Sequence, residues 1–269
     1  MNMLVYVVFN LGVTYCFNSA EGIKMSIHNV VPKISDIPYH VLIVYKDLYC
    51  SGSLIASKVV VTAATCLHAY SSDAVVKVGS NTVTGFGQII PVQGIKIHEY
   101  YRHQCELDND IALLLLKDHV LFSENVKKVR LIDSGMSLYD GYLMQVSGWG
   151  GNNLPSKYSN SLILSQMVII DKSECQKIHG PLITASNFCA VYNYDERLSD
   201  NGGGAVYNDA LVGVLSYGAA NVEEPFTAIF TNIPYFYRWM KINTQRLLTK
   251  YCTKNTSVVQ LIMNSNEYE

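Results

Sequence analysis

The apolar residues of this 269-residue chain fall in short runs that are separated by Gly, Asn, Asp and Ser. The runs are HVLIVY, SLIASKVVVTAA, AVVKVG, IALLLL, QVSGWG, ILSQMVII, ALVGVLSYG and FTAIFTNI. Short strands broken by turn residues at this spacing are typical of β-barrels and β-sandwiches. Because 49% of the residues are apolar, the chain has enough material for the core of one large β unit or two small ones. We therefore expect an all-β protein.

The best helical period lies between Tyr235 and Leu248, where Phe236, Met240 and Leu247 recur among polar residues. This pattern predicts a single C-terminal helix. Residues 251–269 have no strong pattern, and chain ends stay disordered unless other contacts hold them. We therefore treat 251–269 as a tail.

The first twenty residues, MNMLVYVVFNLGVTYCFNSA, contain no charged side chain and end in small residues. This composition predicts a secretory signal peptide over residues 1–20, with cleavage near Ala20 and an extracellular mature protein. The alternatives are a buried first strand or a short membrane span. Against a span, the apolar run is interrupted at Asn10 and is short for a bilayer crossing.

Cysteine usage agrees with secretion, because removing residues 1–20 removes Cys16 and leaves an even number of cysteines. These cysteines are Cys50, Cys66, Cys105, Cys175, Cys189 and Cys252. Asn255 begins the triplet Asn-Thr-Ser, which matches the N-glycosylation sequon of secreted proteins.

Basic and acidic residues nearly balance, at 20 and 22, and the formal net charge is -2. No basic run is present that would neutralise phosphates or hold an anionic membrane surface. We expect neither nucleic acid nor membrane as a partner, and nothing in the chain predicts a metal ion or a cofactor.

Four motifs follow one another along the chain: CSGSLIASKVVVTAATC at 50–66, DNDIALLLL at 108–116, VSGWG at 146–150 and LSYG at 215–218. They resemble the CGGSLI…VLTAAHC, DIALL, SGWG and VSWG segments of the chymotrypsin and trypsin family of serine proteases. PYHV at 38–41 and YRWM at 237–240 extend the resemblance over almost the whole chain from residue 27 to residue 250.

The resemblance implies two six-stranded antiparallel β-barrels with the functional site between them, followed by the C-terminal helix. The N-terminal barrel, with a propeptide-like start, would occupy 21–132, and the C-terminal barrel with the helix 133–250. The resemblance also pairs Cys50 with Cys66 and Cys175 with Cys189. For the two cysteines that remain, we predict a third disulfide between Cys105 and Cys252; a free thiol or a bond to a second chain is the alternative.

The catalytic residues of the family are incomplete in this chain. Its chemistry needs a nucleophilic serine, a histidine that accepts the serine proton and a buried carboxylate that orients the histidine. Thr65 stands at the histidine position in TAATC, and Asn201 stands at the serine position in SDNGGG. Neither a hydroxyl nor an amide acts as a base near neutral pH. Asp110, in DNDIAL, is the one triad residue retained.

Without its histidine, a buried Asp110 requires other hydrogen-bond donors, and we expect the Thr65 hydroxyl or nearby backbone N–H groups to supply them. The other histidines match no triad position. We therefore predict an inactive homologue with degenerate triad positions Thr65, Asp110 and Asn201.

The resemblance places the substrate pocket at Asp195, Ser216, Gly218 and Ala228. Asp195 corresponds to the acid that binds Lys or Arg side chains in trypsin-like enzymes, whereas Ala228 replaces a pocket glycine. We expect the pocket to be remodelled and narrowed. Ser199 replaces a glycine whose N–H contributes, with that of position 201, to the oxyanion hole.

Two functions remain open. Triad loss and overall composition resemble inactive homologues of arthropods, including the inactivated protease paralogues of parasitic mites. That resemblance implies a secreted, monomeric pseudoprotease that binds a protein partner, such as a protease or its inhibitor, and modulates a proteolytic or immune cascade. The alternative is an active trypsin-like endopeptidase. The 19 tyrosines favour an interface if they are exposed, although they could equally fill the barrels.

Overall fold

The computed structural model describes residues 32–45, 48–67, 73–132, 135, 137–149, 160–192, 201–218 and 227–265, with side chains described as far as Tyr251. All of them belong to one unit, Val31–Glu269. The predicted signal peptide and the sequon side chain at Asn255 lie outside the described residues.

Six strands close an antiparallel barrel in the N-terminal half, in the order β1-β2-β3-β6-β5-β4. The strands are β1 (His40–Tyr45), β2 (Leu48–Ala56), β3 (Val59–Thr62), β4 (Val75–Val78), β5 (Gln88–Ile97) and β6 (Ala112–Leu116). Val41, Ile43, Leu54 and Leu114 are among the side chains that fill its interior. Because β6 is buried on both faces, it is apolar throughout.

A second barrel forms in the C-terminal half, in the order β11-β8-β9-β10-β13-β12, and closes through a pairing of β11 with β12. Its strands are β8 (Leu143–Trp149), β9 (Leu162–Ile169), β10 (Asn187–Tyr192), β11 (Gly204–Tyr207), β12 (Ala210–Tyr217) and β13 (Thr227–Asn232). The short strand β7 (Arg130–Leu131) adds to β12 in parallel. The predicted fold class, two six-stranded antiparallel barrels, is therefore confirmed.

One continuous cluster of buried apolar side chains joins the two barrels. It includes Leu42 and Leu113 from the first barrel and Met144, Leu211 and Phe230 from the second. Burial of apolar surface holds the barrels together, and the ends of β3, β6 and β12 meet along this seam. The predicted site lies there.

The C-terminal helix, α2 (Ile233–Ser265), begins where predicted but extends well beyond Leu248. Its buried face packs Phe236, Met240 and Leu247 against the barrels. The segment predicted as a patternless tail is helical to residue 265, because it contains no Gly or Pro that would end the helix. No helix in the part of the chain described by the structure is long and apolar enough to cross a membrane.

The sequence reasoning missed the helix α1 (Lys172–His179). The helix is short and mostly polar, with Cys175 as its one buried residue, so it has no apolar stripe. Its capping signals were present: Asp171 accepts a hydrogen bond from Ser173 N, and Gly180 ends the helix with a φ of 54°.

Two of the three predicted disulfides are formed, Cys50–Cys66 and Cys175–Cys189. The third, Cys105–Cys252, is wrong, because Cys105 is a free thiol. Its Sγ lies 3.5 Å from the carbonyl oxygen of Leu182, in the segment that follows α1. Position 252 belongs to α2 rather than to a tail that could fold back to this loop.

Candidate functional site: a hydrogen-bonded chain in place of a triad

Asp110 lies at the start of the β6 segment and is fully buried. The residue before it, Asn109, has a positive φ of 52° and donates its side-chain N–H to Asp108 at 2.8 Å. Asp108 also accepts hydrogen bonds from Ser186 and Thr184 of the second barrel, both at 2.9 Å. This polar cluster fixes the turn that directs Asp110 into the seam.

Thr65 supplies two hydrogen bonds to the Asp110 carboxylate. The backbone N–H donates to Oδ1 at 2.8 Å, and the hydroxyl donates to Oδ2 at 3.2 Å. Thr65 sits in a single 3-10 turn, Ala64–Leu67, which follows β3 and is tied to β2 by the Cys50–Cys66 disulfide. The donors expected from the sequence are therefore the ones found.

Asn201 extends the chain outward, because its side-chain N–H donates to the Thr65 hydroxyl at 3.3 Å. Its backbone carbonyl accepts the N–H of Ser51 at 2.9 Å. The structure thus brings the three degenerate positions together, in the order Asn201 to Thr65 to Asp110, with each member donating to the next.

The backbone at Asn201 is held by the glycine that follows it. Gly202 has a φ of +90°, and a Cβ there would lie 2.0 Å from Ser51 O and 2.4 Å from Thr62 Oγ1. Its N–H donates to Leu215 O at 2.7 Å. Only glycine fits this approach, so the loop that carries Asn201 is docked closely on the first barrel.

Ser216, predicted in the substrate pocket, is instead buried beneath it. Its hydroxyl donates to Asp110 Oδ2 at 2.5 Å. Asp110 therefore accepts from three donors, which favours the charged carboxylate, but burial is the larger effect and raises the pKa of Asp110 above its ordinary value.

This arrangement has a definite chemical consequence. The triad geometry requires an imidazole that takes a proton from the nucleophile, whereas here every proton in the chain points towards Asp110. The Thr65 hydroxyl is occupied as donor and acceptor at once. The residues at these positions satisfy a buried carboxylate and provide neither a base nor a nucleophile.

The rest of the predicted pocket is only partly described. Gly218 ends the β12 segment, and Ala228 is a buried residue of β13 paired with Ala190. Asp195 and Ser199 lie outside the described residues, so the predicted specificity and oxyanion positions stay predictions. Among the described side chains, no group of three or more His, Cys, Asp or Glu could hold a metal ion.

A second His–Ser cluster lies behind this site and was missed by the sequence reasoning. His40 of β1 hydrogen-bonds through Nδ1 to the Ser147 hydroxyl at 2.8 Å and through Nε2 to the Ser51 hydroxyl at 3.1 Å. These residues occur in no recognised motif and meet only because β1, β2 and β8 face one another at the seam.

All three members of this cluster are inaccessible to a substrate. His40 is 1% exposed, and Ser51 and Ser147 are each 0% exposed. Burial lowers the pKa of His40 to about 3, so its imidazole is neutral around pH 7. The cluster is connected to the degenerate triad through Ser51, whose N–H donates to Asn201 O.

Comparison with known proteins agrees with the fold and with the site. The trypsin family model matches residues 27–240. Trypsin 5G1 of Aedes aegypti is 28% identical over 215 residues, which cover 77% of this chain and 80% of that protein. A trypsin of Xenopus laevis is 32% identical over 213 residues, which cover 76% of this chain and 84% of its own length. The crystal structure of scabies mite inactivated protease paralogue S-D1 superposes with a TM-score of 0.72 at 25% identity, covering 81% of this chain and 96% of the other.

Proposed function

Because this chain belongs to the trypsin family, we propose that it is a catalytically silent member that acts by binding a protein partner and thereby modulates a proteolytic or immune cascade. We propose further that it is secreted. Family members such as trypsins share its scaffold, and the proposal concerns what the scaffold does without its catalytic pair.

The observation that carries the proposal is the chain from Asn201 through Thr65 to Asp110. In a triad enzyme, removing the serine or the histidine costs about 10⁶ in turnover, and removing both costs little more, because the residues act as a unit. Here both positions are changed, and their replacements bond to each other and to Asp110. Such a network favours a stable, silent site.

The similarity to the inactivated protease paralogue of the scabies mite supports the same reading, because that protein combines this fold with loss of activity in its printed description. Exposed aromatic residues give partner binding a physical basis. Tyr100 and Tyr235 are 63% and 56% exposed, and His98 and Phe236 pack between them. Tyrosine is enriched at protein interfaces.

An active endopeptidase is the second candidate, and the His40 cluster is the observation in its favour. A neutral imidazole hydrogen-bonded to a serine hydroxyl has the elements of a nucleophile and a base. The burial of His40 and Ser147 opposes this reading, because a peptide bond would have to enter the seam between the barrels to reach them.

One labelling experiment separates the two candidates. The purified protein is treated with a fluorophosphonate probe, which reacts with activated serines, and is compared with the variants Ser147→Ala and Asn201→Ala. We expect no labelling of any of the three. Labelling of the native protein that disappears in Ser147→Ala would show that the His40 cluster is an active dyad and would overturn the proposal.

Partner binding is tested in a reconstituted proteolytic cascade whose output is the cleavage rate of a chromogenic substrate. We expect the native protein and Asn201→Ala to change this rate equally, since binding does not depend on position 201 as a nucleophile. An effect that Asn201→Ala loses would assign the activity to chemistry at that position.

A further inference from the structure

We propose that a hollow between β5 and α2, lined by Lys96, Arg246 and Lys250, binds a sulfate group of a linear sulfated polysaccharide. The hollow has a volume of about 200 Å³, and Ile95, Asn243 and Leu247 complete its lining. None of these residues belongs to the degenerate triad, so the inference is independent of the catalytic state of the protein.

The charge around the hollow is unbalanced. Over its whole length, Ile233–Ser265, α2 contains no acidic residue. Strands β5, β6 and β12, which pack against α2, contain none either. Glu99 is the nearby carboxylate, and it is already occupied by Lys96 and by the Trp239 indole N–H at 2.8 Å.

The basic side chains on α2 form a track. Arg238, Lys241, Arg246 and Lys250 are all exposed and all described. At 1.5 Å of helix rise per residue, the distance from Arg238 to Lys250 along the axis is about 18 Å. A ligand that fills the hollow with one anionic group can therefore place further anionic groups along the same helix, which suits a linear polyanion.

The aromatic side chains on the track favour a polysaccharide over a nucleic acid. Lys241 covers the ring of Tyr237 at 5.0 Å, and Lys250 covers the ring of Tyr251 at 5.4 Å. Proteins that bind single-stranded nucleic acid stack bases on open aromatic faces, and these faces carry ammonium groups instead. Sulfate groups need only the cations.

The hollow is also held in shape by its surroundings. The Tyr251 ring packs directly on Gly94 of β5, where a Cβ would lie 2.7 Å from a ring carbon. This contact anchors the last described turn of α2 on β5 and so positions Lys250. Asn243, which is buried, donates its side-chain N–H to Trp239 O at 2.9 Å and forms a rigid floor.

The test uses the full-length protein and a fluorescein-labelled heparin octasaccharide, with binding followed by fluorescence anisotropy at several salt concentrations. The test variant is Arg246→Gln with Lys250→Gln. The control is Lys127→Gln with Lys128→Gln, which removes the same charge from two exposed lysines before β7.

We expect the test variant to weaken binding by about tenfold and to lower the salt dependence of the affinity by about two ions, while the control stays within about twofold of the native protein. Equal weakening in both variants would reduce the effect to net charge and overturn the proposal, as would no binding by the native protein. A single-stranded oligonucleotide of equal charge that binds as tightly, and loses affinity in the same test variant, would assign the surface to nucleic acid and also overturn it.

Discussion

The side-chain amide of Asn201 donates to the hydroxyl of Thr65 at 3.3 Å, across the seam between the two barrels. The two residues replace a catalytic serine and histidine, yet they stay in contact as that pair would. Since Thr65 passes its own proton to Asp110, the substitutions leave the buried carboxylate satisfied. Loss of catalysis here comes with a network that compensates for the missing imidazole.

The stability of this network is tested by Thr65→Val, which preserves shape and removes the hydroxyl. We expect a loss of about 1–2 kcal/mol in the free energy of unfolding, because Asp110 loses one donor and Asn201 loses its acceptor. Urea unfolding at pH 7.5 measures the change. The control is Thr84→Val at an exposed position, and equal losses in both variants would contradict the role given to Thr65.

Gly202→Ala tests the docking of the loop that carries Asn201. Its Cβ would overlap Ser51 O, so we expect a loss of more than about 3 kcal/mol or failure to fold. Gly141→Ala is the matched control, since Gly141 has a similar φ of +81° but no atom within 4 Å of its Cβ. We expect that variant to lose about 1 kcal/mol from backbone strain alone. Similar losses, measured by thermal unfolding, would show that the close approach is unimportant.

The pH dependence of stability reports on His40. The folded protein holds its pKa at about 3, below the unfolded value of 6.5, so the unfolded chain binds the extra proton between these limits. The free energy of unfolding should therefore fall as the pH is lowered from 6.5 towards 3, by up to about 1.4 kcal/mol per pH unit from this residue.

His40→Gln removes this contribution while keeping a donor and an acceptor for the two serines. Burial also lowers the pKa values of His98 and His179, but both residues remain in the variant, so the difference between native protein and variant isolates His40. Urea unfolding at a series of pH values between 4 and 8 gives this difference. Parallel curves for the two proteins would contradict a buried, neutral imidazole.

The disulfide assignment predicts a contrast between cysteines. The double variant Cys175→Ala, Cys189→Ala should lose about 3 kcal/mol of stability on a chain-entropy estimate, whereas Cys105→Ala should change stability little because it breaks no bond. Mass spectrometry of peptides from the unreduced protein should show Cys175 linked to Cys189. A peptide linking Cys105 to Cys252 would contradict the structure.

The barrels could be predicted because their signals are local or repeated. Each strand is a short apolar run, and the motif around Cys50 and Cys66 has a spacing that one disulfide explains. The roles of Thr65, Asp110 and Asn201 were readable for the same reason, since each sits inside a motif. Helix α1 was missed because its stabilising features are two caps and one disulfide, not an apolar period.

The features that could not be predicted depend on contacts between distant residues. His40 and Ser147 are 107 positions apart and meet only after both barrels close. The cations of α2 are spaced along the helix, so they form no basic run in the sequence, and Lys96 joins them from another element. Ser216 was placed in a pocket by its motif, while its hydroxyl turns to Asp110 because that buried carboxylate needs a donor.

The most direct test of the account is the hydrolysis of a short Lys or Arg thioester by the native protein and by the double variant Thr65→His, Asn201→Ser. We predict that the native protein stays at the rate of buffer alone and that the double variant, which regains base and nucleophile beside Asp110, rises above it. Hydrolysis by the native protein that persists in Asn201→Ala would contradict the central claim, because the chemistry would then come from other residues.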